Sequence, residues 1–546
     1  MHTFFDKLYG DKRLAIAFFA LLSVFFYIGL GAVHLFDWDE INFAESAREM
    51  IASKDYLRVQ INFTAFWEKP PFFFWLQVLA MQIFGITEYA ARFPNAVFGF
   101  IYLVTLYFIG KKHFSARFGM LWALVFFGTL LPHIYFKSGI IDPVFNYFIF
   151  LSVYFLLRVI GKDENSGKLA LLSGIFSGLS MLTKGPVGFL LLGATLFIYL
   201  VIKRFKPFPK FKYILLFFSG FLIIACIWIG AEIAQNGTET IQKFIAYQLE
   251  LFQSDVAGHA QPFYYHFFVI ALGCFPISLL ALPSFRRRET TAFDFQTWML
   301  CLFWVVLVVF SITTTKIIHY SSMTYVPLAF LAAYTLHRSS ELELSVKSWL
   351  STSILIHGLL IAVAFLVLPY LMMHPEWIIP MMNDPFAVES MKIPLHMSGI
   401  EFSAGAVFLV ILFISIYYLR KGRNLAFVLC NALGLGLSLL LVLLLIIPKV
   451  ERFTQGPSIE FYASLENKEC YVESFGYKSY AQYYYAQSPA DKREEAKDLT
   501  WLLTGEIDKP VYLISKCTNT ELDSYPGFHL VREKGGFRMY VRYPQR

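Results

Sequence analysis

Carboxylates stand at the ends of two apolar segments of this chain. The stretch DWDE (37–40) directly follows the first apolar segment, and Asp142 in SGIIDPVFNYF comes just before Pro143. Each could be structural, because an aspartate caps the start of a helix well and proline is common at the first helical position. However, capping needs only one acid, and the three acids in DWDE repel one another. We therefore expect cations opposite them, and a carboxylate so placed can act as a general base.

Lysines occupy three short turns between apolar segments: Lys69 in WEKPP, Lys184 in LTKGP and Lys316 in TTTKIIHY. A single lysine at a membrane surface would be explained by its amine reaching for water. Three of them, each next to a proline, glycine or aromatic residue that fixes the backbone, predict a shared anion. In WEKPP the two prolines hold the preceding residues extended, which directs Glu68 and Lys69 to opposite sides. This rigid turn suits a lipid phosphate head group.

The elements that must position these residues are predicted to be membrane helices. The chain has 546 residues, 57% hydrophobic and only 16% charged, so most of it must face lipid. Apolar windows of about 20 residues, long enough to cross a bilayer, recur from residue 14 to 447. The first window is longer than a signal-peptide core and lacks a cleavage site, so we expect it to be retained. The sequence thus predicts an all-α polytopic membrane protein with about thirteen spans. The spans lie at roughly 14–35, 92–110, 118–136, 142–160, 168–183, 186–202, 212–233, 263–284, 295–312, 320–336, 348–370, 403–420 and 424–447.

The basic residues predict which side of the membrane each loop faces. Clusters of Lys and Arg, such as 203–212 and 286–288, fall in every second loop, and loops of this kind stay in the cytoplasm. Residues 72–84 are too short to span and are expected to lie in the interface or to re-enter, since a further crossing would reverse every later loop. The N-terminus is then cytoplasmic, and the acids and the three lysines share the outer face. The outer loops are residues 36–71, 136–142, 182–186, 235–263 and 313–320.

Residues 451–546 differ from the rest, because charge returns and short strand and helix patterns appear. CYVESFGY and VYLISKC are typical of strands, SYAQYYYAQ and REEAKDLTWLL of helices, and FHLVREKGGFRMYVRY of a hairpin. We therefore divide the chain into a transmembrane domain, 1–450, and a small α/β domain, 451–546, which lies outside by parity. Cys470 and Cys517 fall in this second domain, and a structural disulfide is the natural interpretation for such a pair in an oxidising compartment.

The composition argues against two other classes of protein. The net charge of +7 is accounted for by the basic cytoplasmic loops, so no nucleic-acid partner is expected. A transporter or flippase for lipid-linked sugars would also be polytopic, but it should show inverted repeats and ionisable residues deep within its helices. The sequence shows no internal repeat, and the interiors of its helices are nearly free of charge, so a transporter is kept only as the alternative to an enzyme.

Several short motifs follow one another in a fixed order along residues 10–330. They are the DE pair followed by AESAREM, then EKPP, ARFP, the aspartate that opens a later span, LTKGP, H-x-x-P-F-Y-Y (259–265) and K-x-x-x-Y (316–320). This order resembles the polytopic GT-C glycosyltransferases. The most similar members look like the bacterial aminoarabinose lipid A transferases and, more distantly, the protein O-mannosyltransferases.

The resemblance implies transfer of a sugar from a polyprenyl phosphate, such as undecaprenyl phosphate, to a lipid A-like, glycan or protein acceptor. The reaction would take place at the periplasmic face of a bacterial inner membrane. We expect a monomer surrounded by membrane lipid, and a reaction that inverts configuration because base and leaving group stand on opposite faces of the sugar. The resemblance assigns the general base to Asp39 and the membrane-boundary acid to Asp142. It assigns substrate contacts to Glu40, Glu68, Lys69, Lys184, His259, Lys316 and Tyr320.

The sequence also departs from the aminoarabinose transferases. Their D-E-x-R-Y motif reads DEINF here, and their E-H-x-x-R-F motif reads YQLELF (247–252). Two arginines expected near the donor phosphate are therefore missing, which leaves lysines as its partners. The histidine replaced by Gln248 would have joined Glu68 in binding a divalent metal, so a metal at Glu68 stays open and no other cofactor is expected. The sugar specificity of these relatives is not carried over.

Overall fold

The fold is mostly helical, as seen in a computed structural model that describes residues 7–253, 261–286, 294–341, 346–490 and 492–545. The α-helices before residue 260 are α1 Lys12–Tyr27, α2 Asp39–Ser53, α3 Phe72–Phe84, α4 Glu88–His113, α5 Ala116–Phe127, α6 Leu130–Tyr135, α7 Asp142–Ile160, α8 Ser166–Lys184, α9 Val187–Ile202, α10 Phe211–Asn236 and α11 Glu239–Gln253. Those after it are α12 Tyr265–Gly273, α13 Ile277–Leu280, α14 Phe295–Ile312, α15 Tyr325–Glu341, α16 Ser348–Met373, α17 Pro385–Met391, α18 Ser403–Arg420, α19 Asn424–Leu441, α20 Ile447–Arg452, α21 Gly456–Ala463, α22 Ala481–Tyr485 and α23 Leu499–Thr504.

Seven helices in the described residues are long and apolar enough to cross a membrane, or eight if one bent pair counts as a single span. The predicted spans overlap helices or broken helices, and three of them differ from the prediction in shape, one being 118–136, which is divided into α5 and α6. α1 ends at Tyr27 because the chain turns at Gly29, where φ is +80°. The segment predicted as one helix over 263–284 bends by 102° between α12 and α13.

Two helices approach each other closely through glycines. A Cβ at Gly174 on α8 would lie 1.9 Å from the carbonyl oxygen of Phe217, and a Cβ at Gly220 on α10 would lie 2.4 Å from that of Leu171. Distances this short exclude any side chain, and small residues allow membrane helices to pack backbone against backbone. The contact holds α8 in place, and α8 ends at Lys184, one of the predicted site residues.

The end of the chain carries a four-stranded sheet in the order β3-β4-β6-β5. The strands are β1 Gln60–Ile61 and β2 Thr64–Ala65, which pair with each other, and β3 Tyr471–Phe475, β4 Val511–Lys516, β5 Phe528–Lys534 and β6 Phe537–Arg542. The turn of the β5–β6 hairpin is formed by Gly535 and Gly536, both at positive φ, as the sequence predicts. We call residues 456–545 the tail module.

Cys470 and Cys517 do not form the disulfide that the sequence left open, because both cysteines are free. β3 and β4 run parallel, starting from the pair Tyr471 and Val511. Cys470 precedes this first pair and Cys517 follows the end of β4, so the two lie at opposite ends of the strands. At about 3.3 Å per residue, this separation is far beyond the roughly 7 Å between Cα atoms that a disulfide tolerates.

The tail module packs against α2 and the loop before it. Arg48 on α2 donates a hydrogen bond to the carbonyl oxygen of Ser488 at 3.1 Å, and the backbone N–H of Leu35 donates one to the Tyr485 hydroxyl at 2.7 Å. The carboxylate of Asp37 contacts the Ser479 hydroxyl. These bonds fix the start of α2, where the DWDE stretch ends.

Candidate active site

Asp39 is the first residue of α2, and its carboxylate faces a histidine. The preceding residue, Trp38, has φ +55°, an uncommon backbone conformation for a large side chain, and makes no side-chain capping bond. Oδ2 of Asp39 lies 3.1 Å from Nε2 of His319, and the Asp39 side chain is 34% exposed. The acid is therefore open to a ligand and held by an imidazole.

Asp142 is the first residue of α7, one position inside the helix, so it is not the N-cap that the following proline predicts, and no side chain caps this helix. Its Oδ1 lies 2.6 Å from Nζ of Lys184, and its Oδ2 lies 3.7 Å from Nε2 of His319. The Lys184 ammonium also lies 4.9 Å from the centre of the Tyr320 ring. The structure thus brings two predicted acids, one predicted lysine and one predicted tyrosine together, although they are distant in sequence.

The WEKPP turn borders the same group of residues. Nζ of Lys69 lies 3.6 Å from Oε2 of Glu68, and the charge of Lys69 acts on Asp39. Glu68 interacts electrostatically with Tyr320 and accepts a hydrogen bond from Tyr247, while Gln248 donates a bond to its backbone carbonyl at 3.2 Å. Tyr247 therefore replaces the glutamate of the relatives with a neutral hydrogen-bond donor.

The charges around Asp39 determine its ionisation. Burial by itself would raise the pKa of Asp39, but the hydrogen bond and charge of His319, together with the charges of Lys69 and Lys184, lower it to about 2. The carboxylate is therefore ionised at neutral pH. It can accept a hydrogen bond from a hydroxyl group, while the lysines can bind an anion beside it.

Glu40, the neighbour of Asp39, has a different environment. It is buried, and its two carboxylate oxygens accept bonds from Arg92 at 3.0 and 2.7 Å, from the backbone N–H of Phe36 at 3.0 Å and from that of Gly139. Burial would raise the pKa of Glu40, but the charge and hydrogen bonds of Arg92 hold it below its usual value. Its bonds leave it no free face toward the group formed by Asp39 and His319.

Arg92 uses all five of its N–H donors. Besides Glu40, it donates to the carbonyl oxygens of Leu30, Val33 and His34 at 2.7, 2.8 and 2.9 Å. The pair Arg92–Glu40 therefore joins the chain after α1, the first turn of α2 and the loop that leads to Asp142. It sets the distance between the two aspartates without facing the space between them.

Two other predicted residues are placed differently. Lys316 is buried, and its ammonium donates to the backbone carbonyls of Gln261, at 2.9 Å, and Thr313. These bonds tie it to the chain on either side of the broken helix. His259 lies outside the described residues.

The sequence analysis did not single out His319 or Arg92, which hold the site together. His319 lies within the outer stretch TTTKIIHY, between the lysine and the tyrosine that were singled out. The signal in the sequence is its place in an outer stretch, beside Lys316 and Tyr320 and on the same side of the membrane as the acids. An imidazole there can pair with a carboxylate. Arg92 lies in ARFP, inside an apolar helix, where a charged residue needs a buried partner.

The open question of a metal concerns Glu68. Among the described residues, no group of three or more His, Cys, Asp or Glu side chains is arranged to hold a metal ion. Glu68 is paired with Lys69 at 3.6 Å, Tyr247 donates a hydrogen bond to it, and Gln248 directs its amide nitrogen toward its backbone carbonyl. The donor set around Glu68 therefore does not fit a divalent metal.

The fold and the site define a membrane glycosyltransferase of the GT-C class. A structure of ArnT from Cupriavidus metallidurans, bound to undecaprenyl phosphate, superposes with a TM-score of 0.77 at 19% identity and covers 98% of this chain and 100% of that one. The family profile for dolichyl-phosphate-mannose-protein mannosyltransferase matches residues 68–229. The chain belongs to the GT-C polyprenyl-phosphate glycosyltransferases of the ArnT and protein mannosyltransferase type.

Two relatives show how far the sequence similarity extends. A protein of Aquifex aeolicus is 30% identical over 317 residues, which is 57% of this chain and 71% of that protein. The undecaprenyl phosphate-alpha-4-amino-4-deoxy-L-arabinose arabinosyl transferase of Wigglesworthia glossinidia brevipalpis is 25% identical over 333 residues, 60% of this chain. The chain spans only 59% of the length of that transferase. These similarities do not favour the transporter alternative.

Proposed function

We propose that the protein transfers a sugar from a polyprenyl phosphate, of the undecaprenyl type, to an acceptor at the outer face of the bacterial inner membrane. The observation that carries this proposal is the convergence of Asp39, Asp142 and Lys184 around His319. It combines an ionised acid with a cation that can bind phosphate. The acceptor class is a hydroxyl or amine on a lipid A-like molecule, a glycan or a protein.

In the proposed reaction the acceptor attacks the anomeric carbon from the face opposite the lipid phosphate, so configuration inverts. The new bond joins the acceptor atom to the anomeric carbon, and the bond from that carbon to the phosphate oxygen breaks. Asp39 takes the acceptor proton, and Lys69 and Lys184 stabilise the charge that remains on the lipid phosphate. Tyr320, Glu68 and His259 are proposed to line the sugar and phosphate sites.

The low pKa of Asp39 has a direct bearing on this step. A carboxylate with a pKa of about 2 is a weak proton acceptor, and the lysines contribute to that low value. A bound phosphate pairs with the same lysines and weakens their effect on Asp39. We infer that donor binding raises the pKa of Asp39 and makes it a stronger base when the substrate is present.

Two further residues of the site are proposed to hold the machinery in place. Glu40 aligns Asp39 with the loop before Asp142 through Arg92, and Lys316 joins the chain around the broken helix. Neither is assigned a substrate contact, in contrast to the assignment that the family resemblance implies. No metal is assigned to Glu68, because it is paired with Lys69 and no further His, Cys, Asp or Glu of the described residues is grouped with it to hold an ion.

The topology is also part of the proposal. Thirteen crossings, of which seven or eight rest on long apolar helices, place the N-terminus in the cytoplasm and residues 451–546 in the periplasm. α3, with only 13 residues, lies in the interface. Domain 1–450 then carries the site, and the tail module covers the first turn of α2. The protein is proposed to be a monomer.

A transfer assay tests the proposed function. Purified protein in lipid nanodiscs receives a labelled polyprenyl-phosphate sugar pool, and label is sought in new glycosidic bonds to lipid A, glycan or protein. Asp39→Asn should lower transfer by about a thousandfold, because the amide cannot accept the proton, while thermal unfolding stays unchanged. Asp37→Asn, two residues away and bonded to the tail module, is the matched control and should transfer normally. Normal transfer by Asp39→Asn, or label that changes leaflet without a new bond, would contradict the proposal.

A further inference from the structure

Methionine is concentrated in the segment that joins α16 to α18. Six of the 14 methionines of the chain fall within 26 residues, together with two of its 12 histidines. A random distribution over 546 residues would place fewer than one methionine there. The methionines are Met372, Met373, Met381, Met382, Met391 and Met397, and the histidines are His374 and His396.

Four of these methionines and one of the histidines line a single cavity of about 550 Å³. Met372 is buried, with 5% exposure, and Met373 is exposed, at 41%. Met391 is the last residue of α17, and His396 and Met397 lie in the segment that follows it. Two parts of the chain that are about 20 residues apart thus place thioether groups in the same space.

Packing alone does not call for this composition. Leucine would fill an apolar space of the same volume, and the wall of the cavity already contains leucine, isoleucine and proline. What thioethers add is a soft, uncharged electron donor. The imidazole of His396 has no hydrogen-bond partner among the described residues, so its nitrogens are free to bind a ligand, and Glu376 and Lys392 add one charge of each sign to the wall.

We propose that this cavity binds a soft monovalent cation, Cu(I), through the thioethers of Met372, Met391 and Met397 and the imidazole of His396. Thioether ligands select Cu(I) over Zn²⁺, Mg²⁺ and Ca²⁺, which prefer imidazole, thiolate or oxygen. The ligands are neutral, and the wall holds one carboxylate, Glu376, which is bonded to His374 at 3.0 Å, and one ammonium, Lys392, whose charge is paired with Glu389. The site is separate from the one formed by Asp39 and His319 and does not depend on the proposed transfer reaction.

Cu(I) bound there would join the end of α16 to the segment after α17. α17 itself contacts the tail module, because Ser390 donates a hydrogen bond to the carbonyl oxygen of Gly535 at 3.1 Å and Phe386 packs on Phe537 with ring centres 5.0 Å apart. Since a ligand that binds only the folded state stabilises it, the ion should raise the unfolding temperature.

An anaerobic competition titration tests the proposal. The full-length wild-type protein in detergent is titrated with Cu(I) held by a chromophoric chelator. The triple variant Met372→Leu, Met391→Leu, Met397→Leu is titrated in the same way. The wild type should bind one Cu(I), and the triple variant should bind it at least about a hundredfold more weakly, since each substitution removes a ligand at nearly constant volume. The matched control is Met381→Leu with Met382→Leu, which removes two thioethers of the same segment that do not line the cavity.

The outcomes separate the proposal from its rivals. Unchanged Cu(I) affinity in the triple variant, an equal loss in the control, or absence of Cu(I) binding by the wild type would overturn it. X-ray absorption of the Cu(I) form should show sulfur scatterers. A first shell of nitrogen and oxygen only would also overturn it, because it would point to His396 and Glu376 alone. Unfolding curves of the variants without metal show that they remain folded.

Discussion

At the start of α2, Asp39 is partly exposed and faces His319, whereas Glu45 and Glu49, in the following two turns, are fully buried and face the tail module. Glu45 forms a two-bond pair with Arg48, both bonds being 2.7 Å long, and Glu49 accepts a bond from the backbone N–H of Phe63 at 2.8 Å. One helix therefore carries an open acid at its beginning and closed acids farther along.

The two regions differ in ionisation because they differ in the number of cations per acid. Burial and the neighbouring charge of Glu45 raise the pKa of Glu49 to about 9, so Glu49 keeps its proton at neutral pH. Asp39, with His319 and two lysines nearby, has its pKa lowered to about 2. Burial alone does not decide whether an acid is charged, and its neighbours separate a reactive carboxylate from a structural one.

The strongest test of this comparison concerns the ion pair between Arg92 and Glu40, which lies between the open acid, Asp39, and the closed acids, Glu45 and Glu49. Arg92→Met should lower the free energy of unfolding by about 3–5 kcal/mol, because it leaves the carboxylate of Glu40 buried without its cation. Chemical or thermal unfolding in detergent measures the change. The control is Lys534→Met, which removes a lysine from an exposed pair with Glu460 that is also short, 2.6 Å, and should cost less than about 1 kcal/mol. Equal losses would mean that Arg92 does not hold the site.

A somewhat smaller effect is expected at the open acid region. Lys184→Met should lower kcat by about a hundredfold or more, equivalent to about 2.7–4 kcal/mol, because it removes a charge that stabilises the leaving phosphate. Steady-state transfer assays measure it, with Lys534→Met again as the control variant. A change confined to KM would show that Lys184 binds ground state and transition state equally well, contrary to its proposed role.

The pH dependence of transfer sharpens the comparison further. His319 lowers the pKa of Asp39, so His319→Leu should let burial dominate and raise that pKa. Because the base must be ionised, the acid limb of kcat/KM should move to higher pH by about one unit or more. His319→Gln, which keeps a hydrogen-bond donor but no positive charge, should show a smaller shift. An acid limb that stays in place in both variants would exclude His319 as the group that positions and charges Asp39.

The smallest effect is expected at the closed acid region. The folded protein releases the Glu49 proton only near pH 9, while the unfolded chain releases it near pH 4.5, so stability contributed by Glu49 is full below about pH 4.5 and falls as pH rises toward 9. Glu49→Gln removes this loss. At pH 8 the free energy of unfolding of the variant should exceed that of the wild type by about 1 kcal/mol or more, which a higher unfolding temperature would show. At pH 4 the two proteins should be equally stable. A difference that does not change with pH would contradict the protonated state of Glu49.

The sequence predicts the helices and strands well because their signals are local. Apolar length locates the membrane helices, and the turn glycines Gly535 and Gly536 locate the hairpin. It also indicates that the outer turns meet, since the positions of the cations fix which loops share a side. The partner of each acid depends on the path of the chain in three dimensions. Asp39 and Glu40 are adjacent and chemically alike, yet one faces His319 and the other Arg92, because the helix turns their side chains about 100° apart.

Strand direction explains why Cys470 and Cys517 do not form a disulfide. Cys470 and Cys517 each flank a strand, and an antiparallel pair of those strands would have brought the two cysteines to the same end of the sheet. The strands are parallel, and nothing in the composition of a short strand distinguishes the two arrangements.

The ion pair between Asp142 and Lys184 means that, before any substrate arrives, an internal anion already occupies the ammonium group proposed to receive a phosphate. In the proposed reaction the donor must exchange places with that aspartate, so entry changes the local charge little, and weakly binding inorganic ions compete poorly with a carboxylate fixed to a helix. The same exchange works in reverse when the spent lipid departs. The enzyme would thus restore its own resting state after each turnover, using a residue that never touches the sugar.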